Sequence, residues 1–313
     1  MDYIVFDLEW NQGPDYIPKE KRPLAFEIIE IGAVKLNDDF EIVDMFSEFV
    51  HPMVYRKLNH HTKQMVDVSM KQLEAAEKFT VVMKRFRQWC GDNPVFCTWG
   101  SQDLTELQRN IYYHKMKALS DRPIPFYNVQ NMFARYMNED KAYNLESAVD
   151  ITGISKDTPF HRAYGDAYYT AKILKLLHRS FLKFGKSYDL YHLPPNDKAV
   201  AYDYNGDVNY LVSREYKFRD EIKSNKKLTG MVCAKCDNKA IRPKVRWFSN
   251  NTKNYYGACV CKIHGPLRGF LRIRHTDRGG YYMEKFMYYC TPEEVDAIKK
   301  KKTDIRKKPK AGN

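Results

Sequence analysis

No stretch of the 313 residues is apolar for long enough to cross a membrane as a helix, which argues against an integral membrane protein. A secretory leader is not visible either, because the chain opens on Met-Asp and its first apolar run is only strand-length. Nor is there an internal repeat, so solenoids and propellers drop out. Cysteine is sparse and odd in number, seven in all, and four of the seven crowd into residues 233–261. That distribution excludes the evenly paired framework of a small secreted domain and points to metal instead. Together these absences predict a soluble, cytoplasmic protein with no membrane partner.

Excess positive charge is also missing, but only from the first two-thirds. Residues 1–212 hold 26 Lys+Arg against 29 Asp+Glu, whereas residues 213–313 hold 26 against 10. The whole net charge of +13 therefore resides in the last third, and a segregated basic region suggests a polyanionic partner. With 43% hydrophobic and 14% aromatic residues, the chain can build one large core and a smaller second one.

In chain order, residues 3–9 (YIVFDLE) read as a strand covered on both faces, with Asp7 and Glu9 projecting from one side at its end. Residues 27–36 and 42–50 add two strands around an Asn-Asp-Asp turn, making an antiparallel meander. A helix is predicted over 74–90 with Ala75, Phe79, Val82 and Phe86 inward. A strand at 95–99 leads into a helix to about 113. A strand at 126–130, helices over 132–137 and 145–151, and a long helix over 163–184 follow. The fold class expected is α/β, a mixed sheet with helices on both faces. Residues 185–207, with Pro194-Pro195, read as a linker, and beyond them come short basic Tyr-rich strands. Thr291-Pro292-Glu293-Glu294 is a helix start, and 299–310 a disordered basic tail.

Two carboxylates at a strand end repel and lose hydration unless a cation lies between them. Asp103, in the first turn of its helix, and Asp166, on the inward side of the long helix, are further acids placed to join them. Each could instead simply stabilise a helix N-terminus. The set Asp7-x-Glu9, Asp103 and His161-x4-Asp166 resembles the DEDDh family of 3′–5′ exonucleases. Around it stand EIIEIGAVKLN, Val50-His51-Pro52, TWGSQDLTEL and NLESAVDITGI. The resemblance covers residues 1–184 and is nearest the Eri-type branch, whose members trim structured and small RNAs, and bacterial exonuclease-like inhibitors of a kinase pathway to sporulation.

It implies a ribonuclease H-like fold and two Mg²⁺ or Mn²⁺ ions, hard cations that suit carboxylate oxygens. By that resemblance Asp7 bridges both ions, Glu9 and Asp166 hold one, Asp103 serves the other, and His161 takes a proton from water, a task suited to imidazole near neutrality. Leu8 and Trp10 could pack on the terminal nucleotide or belong to the core, and Arg162 could contact phosphate or solvent.

The last third carries Cys233-x-x-Cys236 and Cys261-x-x-His264, two knuckles about 25 residues apart that suit one tetrahedral Zn²⁺. Cys259 competes with Cys261 for the site. Cys90, Cys97 and Cys290 read as ordinary buried thiols. Interleaved aromatic and basic residues there, with Arg272 and Arg274 on one strand face, suit single-stranded nucleic acid, although some of the rings must fill a thin core. The expected organisation is an exonuclease domain at 1–184, a linker at 185–207, a basic zinc-ribbon-like nucleic-acid-binding module at 208–290, and a short helix and tail at 291–313. The function expected is removal of nucleotides from single-stranded RNA 3′ ends. A DNA-directed proofreading-type exonuclease and a non-catalytic nucleic-acid-binding regulator are the rivals.

Overall fold

A computed structural model describes residues 2–18, 21–139, 141–177, 179–199, 201–205, 208–237, 239–249 and 254–307. The chain divides into two compact units, 1–192 and 193–313. Among the described residues no helix is long and apolar enough to cross a membrane.

The first unit contains, in order, β1 (Tyr3–Gln12), β2 (Phe26–Leu36), β3 (Ile42–His51), α1 (His60–Met65), α2 (Met70–Glu74), β4 (Glu77–Lys78), α3 (Phe79–Cys90), β5 (Val95–Thr98), α4 (Asp103–Tyr113), β6 (Ile124–Asn128), α5 (Val129–Tyr136), α6 (Leu145–Thr152), α7 (Ala163–Leu176), α8 (Leu182–Gly185) and β7 (Lys186–Asp189). Its seven-stranded sheet runs β4-β3-β2-β1-β5-β6-β7. The β1–β3 meander is antiparallel, while β5 pairs with β1 and β6 with β5 in parallel. Strand alternation splits β1 between two cores: Ile4, Phe6 and Leu8 pack with α3 and α4, whereas Tyr3 and Val5 pack with α5, α6 and α7. Helices therefore cover both faces, the mixed architecture the sequence predicts.

Several boundaries differ. The helix expected from residue 74 begins at Phe79, because Glu77-Lys78 pairs in parallel with Val50-His51, and Ala75 is exposed. The long helix stops at Leu176, where Leu177 turns extended with ψ of 127°, and a 3-10 turn and α8 complete the segment, leaving Phe181 only partly buried. Within the stretch read as a linker, β7 closes the edge of the first sheet against β6. Its buried Asp189 accepts hydrogen bonds from Thr105 and Gln108, tying that edge to α4.

The second unit holds β8 (Ala201–Asn205), β9 (Val208–Val212), α9 (Arg219–Ser224), α10 (Lys226–Thr229), β10 (Met231–Cys233), β11 (Lys239–Ile241), β12 (Pro243–Phe248), β13 (Asn254–Cys261), β14 (Gly265–His275), β15 (Tyr281–Tyr289) and α11 (Pro292–Lys307). Its main sheet has the order β12-β13-β14-β15-β9-β8, and β10-β11 forms a second small one. One face of the main sheet buries Leu211, Leu271, Ile273 and Met283 against Ile222 and Leu228. Lys285 is fully buried, its Nζ donating to the carbonyls of Leu228 (2.7 Å) and Gly230 (2.6 Å) at the end of α10, and burial lowers its pKa to about 8. The Thr291–Glu294 capping pair starts α11. The stretch from Lys299, read as a disordered tail, continues that helix to Lys307, and its remainder at 308–310 lies outside the described residues.

Candidate active site

Asp7 and Glu9 leave the same face of β1 near its C-terminal end, opposite Gly32 and Glu30 of β2, and a register shift follows at Glu9/Trp10. The parallel neighbour β5 ends beside them. Gly100, at φ of 110°, then turns the chain so that α4 begins at Asp103. Asp103 is 5% exposed, and the backbone N–H of Leu8 donates to its carboxylate. Asn110 holds this helix to β2, its Nδ2 donating to Phe26 O at 2.9 Å while its Oδ1 accepts from Ile28 N–H at 3.2 Å.

Asp166 arrives from the first turn of α7. That turn crosses β2 so tightly that a Cβ on Gly32 would lie 2.0 Å from the Ala163 backbone. A Cβ on Gly165 would lie 2.1 Å from Pro159 O, so the loop before His161 rests directly on the helix. The same loop is pinned by Tyr169, fully buried one turn beyond Asp166. Its hydroxyl donates to Thr158 O (2.5 Å) and accepts from Thr158 N–H (2.8 Å), and its ring stacks on Phe160 at 4.5 Å.

Carboxylate oxygens of Asp7, Glu9 and Asp166 come within 4.8 Å of one another. Asp103 is outside that group, yet its charge is the largest electrostatic influence on Asp7 after burial. Burial first, and then these like charges, raise the pKa of Asp7 well above the usual carboxylate range. Burial with the charges of Asp166 and Glu30 raises Glu9 to about 8. Asp103 is raised to about 7, chiefly by burial, against the N–H groups that lower it. Asp166 is raised to about 6 by burial, opposed by the charge and backbone N–H of His161.

Oδ1 of Asp166 is buried with no hydrogen-bond partner among the described residues. Hard oxygen donors that repel one another, one of them unsatisfied, fit divalent Mg²⁺ or Mn²⁺.

His161 itself sits exposed at φ of 58°, a left-handed conformation rare for a residue with a side chain. Arg162, its side chain 31% exposed, is tied into the protein. It forms a two-pronged ion pair with Glu30 (2.9 and 3.1 Å), lies over the Phe49 ring at 4.9 Å, and eases the charge on Glu9. Glu30 is 1% exposed and directly across from Glu9. Sequence reasoning passed over it, although the two acids of EIIEIG offered the signal. Leu8 is 3% exposed in the core, leaving its N–H rather than its side chain to act on the site. Trp10 is partly buried against the same core, its ring 5.2 Å from Phe26.

Because the Gly165 contact sets the His161 loop upon Asp166, Gly165→Ala is expected to lower kcat/KM for the 3′-end hydrolysis that the sequence resemblance implies by about 10–100-fold and stability by about 1–3 kcal/mol. Parallel kinetics and thermal melts check this; wild-type values in both would refute the positioning argument.

In the second unit, Cys233, Cys236, Cys261 and His264 bring ligand atoms within 4.8 Å of one another. Nδ1 of His264 lies 3.4, 3.2 and 3.7 Å from the three sulfurs. The His264 and Ile263 backbone N–H groups lower the Cys261 thiol to about 6, whereas burial and the neighbouring thiols raise Cys236 to about 11. Cys259 stands outside the cluster, fully buried among Met231, Leu267 and Met287. Cys90 and Cys97 are buried thiols, and Cys290 is half-buried. Arg272 and Arg274 both pair with the buried Glu284 (2.6 and 2.8 Å).

The profile of the RNase_T exonuclease family matches residues 4–174, a span containing Asp7, Glu9, Asp103, His161 and Asp166. The probable 3′–5′ exonuclease KapD of Bacillus subtilis (strain 168) is 28% identical over 181 residues, covering 56% of this chain and 83% of KapD. A PolC-type DNA polymerase III of Clostridium perfringens (strain 13 / Type A) is 30% identical over 250 residues, which is 78% of this chain but only 16% of the polymerase. The nuclease domain of 3′hExo, a DEDDh family member bound to rAMP, is similar in fold, with a TM-score of 0.51 and 19% identity over 59% of this chain and 96% of that domain.

Proposed function

The chain belongs to the RNase_T exonuclease family; from that premise we propose that it is a 3′–5′ exonuclease of DEDDh type that trims single-stranded RNA from the 3′ end by two-metal hydrolysis. The observation that carries this reading is the convergence of Asp7, Glu9 and Asp166 within 4.8 Å, with Asp103 beside them and every one of the four carboxyls raised in pKa. Such a cluster is stable in its ionised form only against cations.

Asp7, Glu9, Asp166 and Asp103 would together hold two Mg²⁺ or Mn²⁺ ions, Asp7 serving both, Glu9 and Asp166 one and Asp103 the other. When bound, these ions supply the positive charge that lets water attack an anionic phosphodiester. His161 takes a proton from that water as its oxygen bonds to phosphorus. The bond from phosphorus to the 3′ oxygen breaks, that oxygen takes a proton from solvent water, and a nucleoside 5′-monophosphate leaves. Arg162, committed to Glu30, keeps the His161 loop docked rather than binding phosphate. In the second unit, Cys233, Cys236, Cys261 and His264 would hold one structural Zn²⁺, and the basic sheet they support would retain the substrate strand.

RNA is favoured by the Eri-type sequence resemblance. The likeness to a DNA polymerase supports DNA as a second reading. The test is a 5′-labelled 20-mer of single-stranded RNA or DNA, incubated with Mg²⁺, Mn²⁺ or EDTA. A metal-dependent ladder shortening from the 3′ end, faster on RNA, is expected. Faster loss of DNA would move the assignment to the second reading, and an intact oligomer under every metal would refute the two-metal proposal.

A further inference from the structure

One row of rings crosses the main sheet of the second unit. Phe248 of β12 stands opposite Tyr256 of β13, Tyr256 opposite Phe270 of β14, Phe270 opposite Phe286 of β15, and Phe286 opposite Tyr210 of β9. Successive ring centres are 6.1, 5.5, 6.1 and 4.7 Å apart. All five rings are partly buried, and they lie on the face opposite the core of Leu211, Leu271 and Met283. At inter-strand steps of about 4.8 Å the row is about 19 Å long.

Cross-strand aromatic pairs do stabilise a sheet, so the row has a structural use in any case. Its flanks indicate more. The Lys301 ammonium lies 3.8 Å from the Tyr256 ring centre, and Lys302 lies 5.7 Å from that of Phe248. The Arg272 guanidinium is 5.5 Å from Phe286, and Arg268 is 5.2 Å from Tyr288, which itself stacks with Phe286. Arg274 adds a further exposed guanidinium on the same strand face. Against these five cations stand Glu284, buried beneath Arg272 and Arg274, and Glu294, paired with Arg268. Helix α11 covers the part of this face around Val245 and Ala258 and lends its lysines to the border of the row.

We propose that the row Phe248–Tyr256–Phe270–Phe286–Tyr210 is a stacking platform for a single-stranded nucleic-acid segment, its bases on the rings and its phosphates on the flanking Lys and Arg. Rings give every base a face to stack on, and the cations supply attraction independent of sequence. The platform thus explains how the second unit would retain a strand without reading its sequence. It rests on the substrate being nucleic acid.

The experiment uses the full-length protein with zinc retained. In EDTA at a concentration shown to leave the zinc in place, the affinity for fluorescent 20-mer RNA and DNA is measured for wild type and for the double variant Phe270→Leu/Phe286→Leu, which keeps apolar bulk but removes two rings. A loss of about 10–100-fold for both polymers is expected, with melting temperature, zinc content and Mg²⁺-dependent hydrolysis of a trinucleotide unchanged. A folded variant that binds as tightly as wild type would overturn the platform and leave the face to a protein partner. Should the variant not fold, wild type crosslinked to a 4-thiouridine 20-mer decides: adducts within 208–212, 243–248, 254–261, 265–275 or 281–289 support the platform, and adducts confined elsewhere reject it. Wild type that binds the 20-mer yet never shortens it in metal would count against the exonuclease proposal and not against the platform.

Discussion

Asp7→Asn is expected to lower metal-dependent shortening of a labelled 3′ end by at least about 10²–10³-fold while binding of the oligomer changes less than about twofold. The same substitution should make the metal-free protein more stable, an opposition that only a cluster of repelling carboxylates produces. In the folded chain burial and neighbouring charge raise Glu9, Asp103 and Asp166 to about 8, 7 and 6, above ordinary values of 4.5 for Glu and 3.8 for Asp. Between those limits the folded state keeps protons that the unfolded state has released. Metal-free stability is therefore highest at the acid end and falls as pH rises through about 6 to about 8. Mg²⁺ should reverse that fall, since it binds the ionised folded site and not the unfolded chain. Asn at position 7 has no carboxyl whose ionisation burial and its acidic neighbours oppose in the folded state, so at pH 8 in EDTA its melting temperature should exceed wild type by about 3–5 °C. Melts at pH 5 and 8, with and without Mg²⁺, check the whole pattern. Retained activity, or a metal-free melt independent of pH, would remove the assignment.

The other large effect is expected in the second unit. Stripping zinc with a strong chelator, or the substitution Cys236→Ser, should abolish cooperative unfolding of that unit, because a structural zinc contributes about 10–16 kcal/mol to the folding of small zinc domains. Affinity for a 20-mer should fall at least tenfold, while hydrolysis of a trinucleotide by the first unit stays within about twofold. Elemental analysis of the purified chain, followed by melting and binding before and after chelation, gives the answer. A chain without zinc, or one whose second unit melts identically after its removal, would refute the assignment.

Much of the fold was legible because its signals are local. The apolar run at residues 3–6 marks a strand buried on both sides, and alternation alone places Asp7 and Glu9 together. The spacing of His161 and Asp166 likewise fixed their common end of α7. What sequence could not show depends on contacts distant along the chain. Glu30 is acidic inside an apolar strand, and only the arrival of Arg162, 132 residues later, makes it a clamp. Gly32 and Gly165 look like ordinary small residues until α7 and the Pro159 carbonyl lie where a Cβ would stand. The helix boundary at Leu177 was missed because apolar periodicity runs on through the break, while β4 was missed because two residues carry no pattern at all. The aromatic row is a register effect: its five members come from five strands, and only strand pairing brings them into one line.

The exposed His161 has both of its chain neighbours held, Phe160 by stacking on Tyr169 and Arg162 by Glu30. The imidazole can therefore turn about its own side-chain bonds while the backbone on either side stays put. If His161 is the base proposed above, each turnover would leave it carrying one proton, and its position at the surface would let that proton pass to bulk water with no relay through the protein. On the proposed mechanism, successive cuts would then need no rearrangement of this backbone between them.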